Sequence, residues 1–125
     1  MAFPRTRAAM ALALAAFAII ALSGCGKDSN PTNPPVTADV TIEIVANSGA
    51  TSYSPSPQVV TAGQTVSWHN ADGMTHTATA DGGAFNTGNI AAGATSNPIT
   101  MTTTGALGYH CTIHPSMVGT LTVNP

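Results

Sequence analysis

Between Tyr109 and Gly119 the chain reads Tyr-His-Cys-Thr-Ile-His-Pro-Ser-Met-Val-Gly, which sets a thiol at Cys111, an imidazole at His114 and a thioether at Met117 at intervals of three residues. These are soft and borderline donors. Two imidazoles and one thiolate in a trigonal set, with a weak axial thioether, suit copper in electron transfer. The loop supplies one histidine of the two. His76, in Gly73-Met74-Thr75-His76-Thr77-Ala78-Thr79, is the leading candidate for the other, because it opens an alternating, strand-like run. Alone, a cysteine is often a small buried hydrophobe and a methionine often fills a core. A Cys-x-x-His-x-x-Met spacing that follows a strand, with an upstream histidine in a second strand pattern, is a motif whose structural context decides its meaning. Zinc is the chemical competitor, but methionine is not among its usual ligands and a structural zinc site takes four Cys, His or carboxylate donors.

These residues resemble those of the cupredoxins, the blue-copper proteins of the plastocyanin and amicyanin type. The match falls at His76, Cys111, His114 and Met117. The Tyr-His-Cys run, the two-residue gaps and Met74 two positions before His76 are most similar to amicyanin. The resemblance implies an all-β Greek-key β-sandwich, one type 1 copper ion held by those four residues, and no catalytic residues. It also implies that the Thr77 backbone N–H approaches the Cys111 sulfur, that Thr112 pins the loop, and that His110 serves packing.

Upstream lies an address. Arg5 and Arg7 precede the apolar run Ala8 to Leu22, whose fifteen residues are short for a membrane span of about 20 but fit a signal-peptide core. Leu22-Ser23-Gly24-Cys25 resembles the lipobox of bacterial lipoproteins, which implies lipidation of Cys25 and cleavage before it; ordinary signal cleavage nearby is the alternative. The expected organisation is a leader at residues 1–24, a lipidated N-terminus and Pro-rich tether at 25–37, and one domain at 38–125. The tether, Gly-Lys-Asp-Ser-Asn-Pro-Thr-Asn-Pro-Pro-Val-Thr, has no apolar period from which to build a core. With Cys25 lipidated and Cys111 a ligand, the chain's two cysteines are not expected to form a disulfide, and an exported location is compatible with both.

The domain is small for burying a core and reads as a set of short strands. Asp39 to Val45 alternates with Val40, Ile42 and Ile44 on one side. Ser54-Pro55-Ser56-Pro57 interrupts any ladder and leads into Gln58-Val59-Val60, a short edge strand. Thr65 to Asn70 alternates with Val66 and Trp68 inward. Met74 to Ala80, Thr95 to Thr102, Ala106 to Cys111 and Met117 to Val123 are the remaining expected strands, with turns at Asn70 to Gly73, Asp81 to Gly83 and Thr103 to Gly105. Phe85 and Ile90 are expected to pin the intervening loop to the core.

Of the other two histidines, His69 should be an ordinary solvated side chain on the outer face of its strand, and His110 points away from Cys111 because adjacent strand residues face opposite ways. From Ala38 onward there are four acids, Asp39, Glu43, Asp72 and Asp81, and no Lys or Arg. Without cations the domain is unsuited to nucleic acid. Its composition is compatible with redox protein partners, such as a c-type cytochrome or a membrane oxidoreductase, met as a monomer at the apolar surface around His114, Ile113, Pro115 and Met74. The expected function is single-electron transport between redox partners outside the cytoplasm, on a bacterial membrane reached through the lipid anchor and facing the periplasm or cell exterior, without substrate chemistry. Copper storage or delivery, and a metal-free structural sandwich, are the alternatives.

Overall fold

The computed structural model describes residues 37–125. The expected leader, the lipidation at Cys25 and the tether as far as residue 36 lie outside the described residues. Eight strands follow one another: β1 Val40–Ile44, β2 Tyr53–Ser54, β3 Gln58–Thr61, β4 Thr65–Asn70, β5 Thr79–Ala80, β6 Ile99–Thr100, β7 Gly105–His110 and β8 Val118–Asn124, with one short 3-10 turn at Gly49–Thr51.

They form two four-stranded sheets, β2-β1-β4-β6 and β3-β8-β7-β5. Each contains one parallel pair, β1 with β4 and β3 with β8, so the connections must cross between sheets. This is the Greek-key β-sandwich expected from the resemblance.

Alternation builds the core. Ile42 and Ile44 of β1, Val66 and Trp68 of β4, Tyr109 of β7, and Leu121 and Val123 of β8 all point between the sheets and are buried, as period-two strands with one dry face require. Four aromatic rings meet there. Trp68 stacks on Phe85 with centroids 5.1 Å apart and meets Tyr109 edge-on at 5.8 Å, and Tyr53 meets Tyr109 edge-on at 4.7 Å. Phe85 and Ile90 are buried and hold the 84–90 loop down, as expected.

Two expected strands shrink. Of Met74 to Ala80 only Thr79–Ala80 joins a ladder, while His76 and Thr79 make isolated bridges to Ile90 and Asn86. The cause is Asn70, fully buried, whose side-chain amide donates to the carbonyls of Met74 at 2.6 Å and Ile90 at 2.9 Å. It pulls the chain into a local fold over the sandwich end. Of Thr95 to Thr102 only Ile99–Thr100 joins a ladder, while Thr95 makes an isolated bridge to His69. Ser96 exchanges hydrogen bonds with Trp68 through its own N–H and its hydroxyl, at 2.8 and 3.0 Å, and Pro98 has no N–H to offer a ladder.

The sheet β5-β7-β8 carries the ligand motif. β7 and β8 pair antiparallel from Gly105↔Val123 to His110↔Val118, and Thr79 of β5 lies opposite His110. The connection from β7 to β8 is the 111–117 loop, and it emerges beside the bridge of His76 with Ile90.

Candidate metal centre

The loop is closed by its own backbone. Cys111 donates its N–H to the Met117 carbonyl at 3.1 Å, and Met117 donates to the His114 carbonyl at 2.9 Å. These bonds turn the chain so that residues three apart face one point. Opposite them, His76 is held by a reciprocal pair, its N–H to the Ile90 carbonyl at 3.1 Å and the Ile90 N–H back to its own carbonyl at 2.8 Å.

Three donors converge. Cys111 Sγ lies 3.9 Å from His76 Nδ1 and 3.9 Å from His114 Nδ1, and the two nitrogens are 3.2 Å apart. A triangle of those sides has its centre about 2.1 Å from every corner, against bond lengths of ~2.0–2.1 Å for nitrogen and ~2.3 Å for thiolate on a comparable divalent ion. The residues present therefore fit a metal of copper's size, through the same ring nitrogen of both histidines. His76, Cys111 and Met117 are fully buried, whereas His114 is half-buried and reaches the surface. The side chain of Met117 belongs to the same dry cluster as Cys111.

The surroundings fix the donors. The Thr77 N–H points at Cys111 Sγ from 3.3 Å, and the Thr77 hydroxyl accepts the Thr112 N–H at 2.9 Å and lies 3.1 Å from the Thr112 hydroxyl. Both roles implied by the resemblance are seen. The Thr77 carbonyl accepts the buried Tyr53 hydroxyl at 2.6 Å. Burial pushes the Cys111 thiol up, but the N–H groups of Thr77 and His114 and the two imidazoles outweigh it and bring the thiol down to about 6. Hydrogen bonds that favour the charged form produce this effect, and the thiolate is the form that binds metals.

Two residues of the site were not singled out from the sequence. Asp72 lies 2.7 Å from His76 Nε2 through Oδ2, and this hydrogen bond, with a second from the Gly73 N–H, holds its carboxyl below the usual carboxylate range. Asn70 organises the turn, accepting the Asp72 N–H at 3.0 Å besides its two donations. Asn70 to Gly73 had only the look of a turn.

The remaining histidines face outward. His69 Nδ1 meets Glu43 at 2.7 Å, so it is paired as well as solvated. His110 corrects an expectation: it contacts Asp81 at 2.6 Å and is about one-third exposed, an outer-face pair and not a packing residue. Around His114, Met74 and Ile113 are each 46% exposed and Pro115 is exposed too, the apolar rim expected there.

Comparison with known proteins agrees with this geometry. Residues 40–124 match the copper-binding proteins of the plastocyanin/azurin family. Among solved structures, a purple cupredoxin from Nitrosopumilus maritimus is 29% identical with a TM-score of 0.59, covering 69% of this chain and 100% of that one. A proline-to-glycine mutant of amicyanin, solved in the reduced Cu(I) form at pH 4, is 27% identical with a TM-score of 0.58, covering 71% and 87%. A copper-containing nitrite reductase from Thermus scotoductus SA-01 is 28% identical with a TM-score of 0.59, but the match covers 69% of this chain and only 22% of that enzyme. No curated protein matches the chain. With a match over most of its length, a Greek-key sandwich and a histidine–cysteine–histidine triad at one end, the chain belongs to the plastocyanin/azurin family of copper-binding proteins and takes one type 1 copper ion as cofactor.

Proposed function

We propose that this protein carries single electrons, and that His76, Cys111, His114 and Met117 are the residues that would hold its copper. The observation that carries the reading is the convergence of the three donor atoms at 3.2–3.9 Å on a rigid frame. When bound, copper supplies the one-electron couple. The chain holds its ligands still: Thr77 braces the sulfur and the loop, and the Asn70 turn braces His76. Little then needs to rearrange as the charge changes. The half-buried His114 ring, rimmed by Met74, Ile113 and Pro115, gives electrons a short way out to a redox protein such as a c-type cytochrome or membrane oxidoreductase. An apolar patch on a small domain is a common contact surface.

In the same reading, residues 1–24 are a leader, Cys25 carries lipid, and residues 25–37 tether a monomeric domain, 38–125, to a bacterial membrane on the side away from the cytoplasm. The apolar run ending in Leu22-Ser23-Gly24-Cys25 supports it. The dozen tether residues from Gly26 span about 20 Å as a flexible coil, enough for the domain to turn toward a partner on the same membrane.

Adding Cu(II) to purified protein should give an intense visible band that ascorbate bleaches, with one equivalent bound. Cys111→Ser should lose the band, since the colour of such a site is thiolate-to-copper charge transfer. A wild-type protein that stays colourless, or a serine variant as strongly coloured as the parent, would defeat the assignment.

A further inference from the structure

The two histidines of the triad are not equivalent. His76 Nδ1 faces Cys111 and His114, while its Nε2 lies 2.7 Å from Asp72 Oδ2. His114 has no carboxylate partner among the described residues. An ionised carboxylate only accepts hydrogen bonds, and a neutral imidazole carries one N–H. The contact is therefore Nε2–H donated to Asp72, with the Nδ1 lone pair left for the triad.

The arrangement is built. His76 is completely buried, and the Asp72 side chain is 23% exposed, so the bond lies at the edge of the dry interior. The carboxylate is kept there by Asn70, which accepts the Asp72 N–H and donates to the carbonyls of Met74 and Ile90. The other two acid–histidine pairs, Glu43 with His69 and Asp81 with His110, involve imidazoles outside the triad.

We propose that Asp72 is a positioning residue that fixes the tautomer and orientation of His76 and, by making that imidazole a stronger donor, favours Cu(II) over Cu(I) and lowers the reduction potential. Carboxylates behind metal-bound histidines act in this way. The inference rests on the copper reading above.

Two measurements test it. In voltammetry of copper-loaded protein, Asp72→Ala should weaken Cu(II) binding by about 10–100-fold and Cu(I) binding less, raising the potential by about 59 mV for each tenfold difference between them. Asp72→Asn should give a smaller rise, and Asp72→Glu should return toward the parent value. Glu43→Gln, which removes the same charge from a pair outside the triad, should leave the potential where it was. The second measurement needs no copper. Ring-nitrogen NMR of the metal-free protein at alkaline pH should show His76 protonated at Nε2 alone, with both tautomers populated in Asp72→Ala.

A potential in Asp72→Ala equal to that of Glu43→Gln, or a His76 tautomer indifferent to the substitution, would overturn the proposal while leaving the copper site standing. Failure of the unsubstituted protein to take up copper would instead overturn the functional reading, and the claim about potential with it. A tautomer shift in that metal-free protein would still uphold the positioning of His76.

Discussion

Gly119 stands opposite Tyr109 in the β7–β8 ladder, and the phenol ring fills the space that a side chain at position 119 would need: a Cβ there would lie 2.4 Å from Tyr109 Cζ. Glycine is required for closeness, not for an unusual backbone angle. The ring cannot retreat, because Tyr53, Trp68 and Phe85 surround it. Gly119→Ala should therefore destabilise the domain by about 1–3 kcal/mol, the range for overpacking a filled core. Thermal unfolding of the metal-free protein would read it as a fall of roughly 4–8 °C per kcal/mol for a domain of this size. An unchanged midpoint would mean that the tyrosine has room to move.

Met117 tests whether its sulfur acts on the metal. Leucine has nearly the same volume, and such exchanges in a core cost less than about 1.5 kcal/mol, so packing should be nearly preserved. Removing a weak axial donor disfavours Cu(II) more than Cu(I). Met117→Leu should stay coloured and show a higher reduction potential, rising about 59 mV for each tenfold shift in preference. A potential that holds or falls would make Met117 a core residue only.

The Cys111 thiol, lowered to about 6 in the folded protein, makes the metal-free form sensitive to pH. A thiol ordinarily ionises near 8.5, so the folded chain holds fewer protons than the unfolded chain between the two values. Stability rises with pH where the unfolded state binds more protons. This contribution is complete above the unfolded value and is lost as pH falls through about 6. Thiolate ultraviolet absorbance of metal-free protein should titrate with a midpoint near 6, and Cys111→Ser should abolish the transition. A midpoint at or above the ordinary thiol value would contradict the hydrogen-bond arrangement around the sulfur.

Cys25→Ala should move the protein from the membrane fraction to the soluble one without changing its visible spectrum. Fractionation of expressing bacterial cells and absorbance of both pools would check this. Unaltered membrane retention would refute lipidation at Cys25.

What could be read from the residues alone follows from how local each feature is. Cys111, His114 and Met117 lie on one connection, so their spacing already describes the curvature of a loop. His76 was recognisable through its strand-like setting and the family resemblance, and the Thr77 contact with the sulfur through the resemblance alone. Asp72 was not recognisable, because a carboxylate four residues before a histidine reaches its ring here only along an irregular path pinned by a buried asparagine. Alternation of Thr and Ala in Met74 to Ala80 signals a strand whether or not a neighbour is present to pair with it. The structure places Ile90 and Asn86 there instead of a full ladder. His110 was correctly turned away from Cys111, but its partner Asp81 directly follows β5, the strand paired with β7, and only the fold reveals that pairing.

The chain contains one tryptophan, and it lies at the centre of the sandwich, fully buried against the rings of Phe85 and Tyr109. A buried indole in apolar surroundings emits at shorter wavelengths than one in water, and admission of water shifts that emission to the red. Trp68 thus makes the molecule its own optical gauge. One emission spectrum, with no added label and no second tryptophan to confuse it, reports the integrity of the same aromatic core that supports the β7–β8 connection.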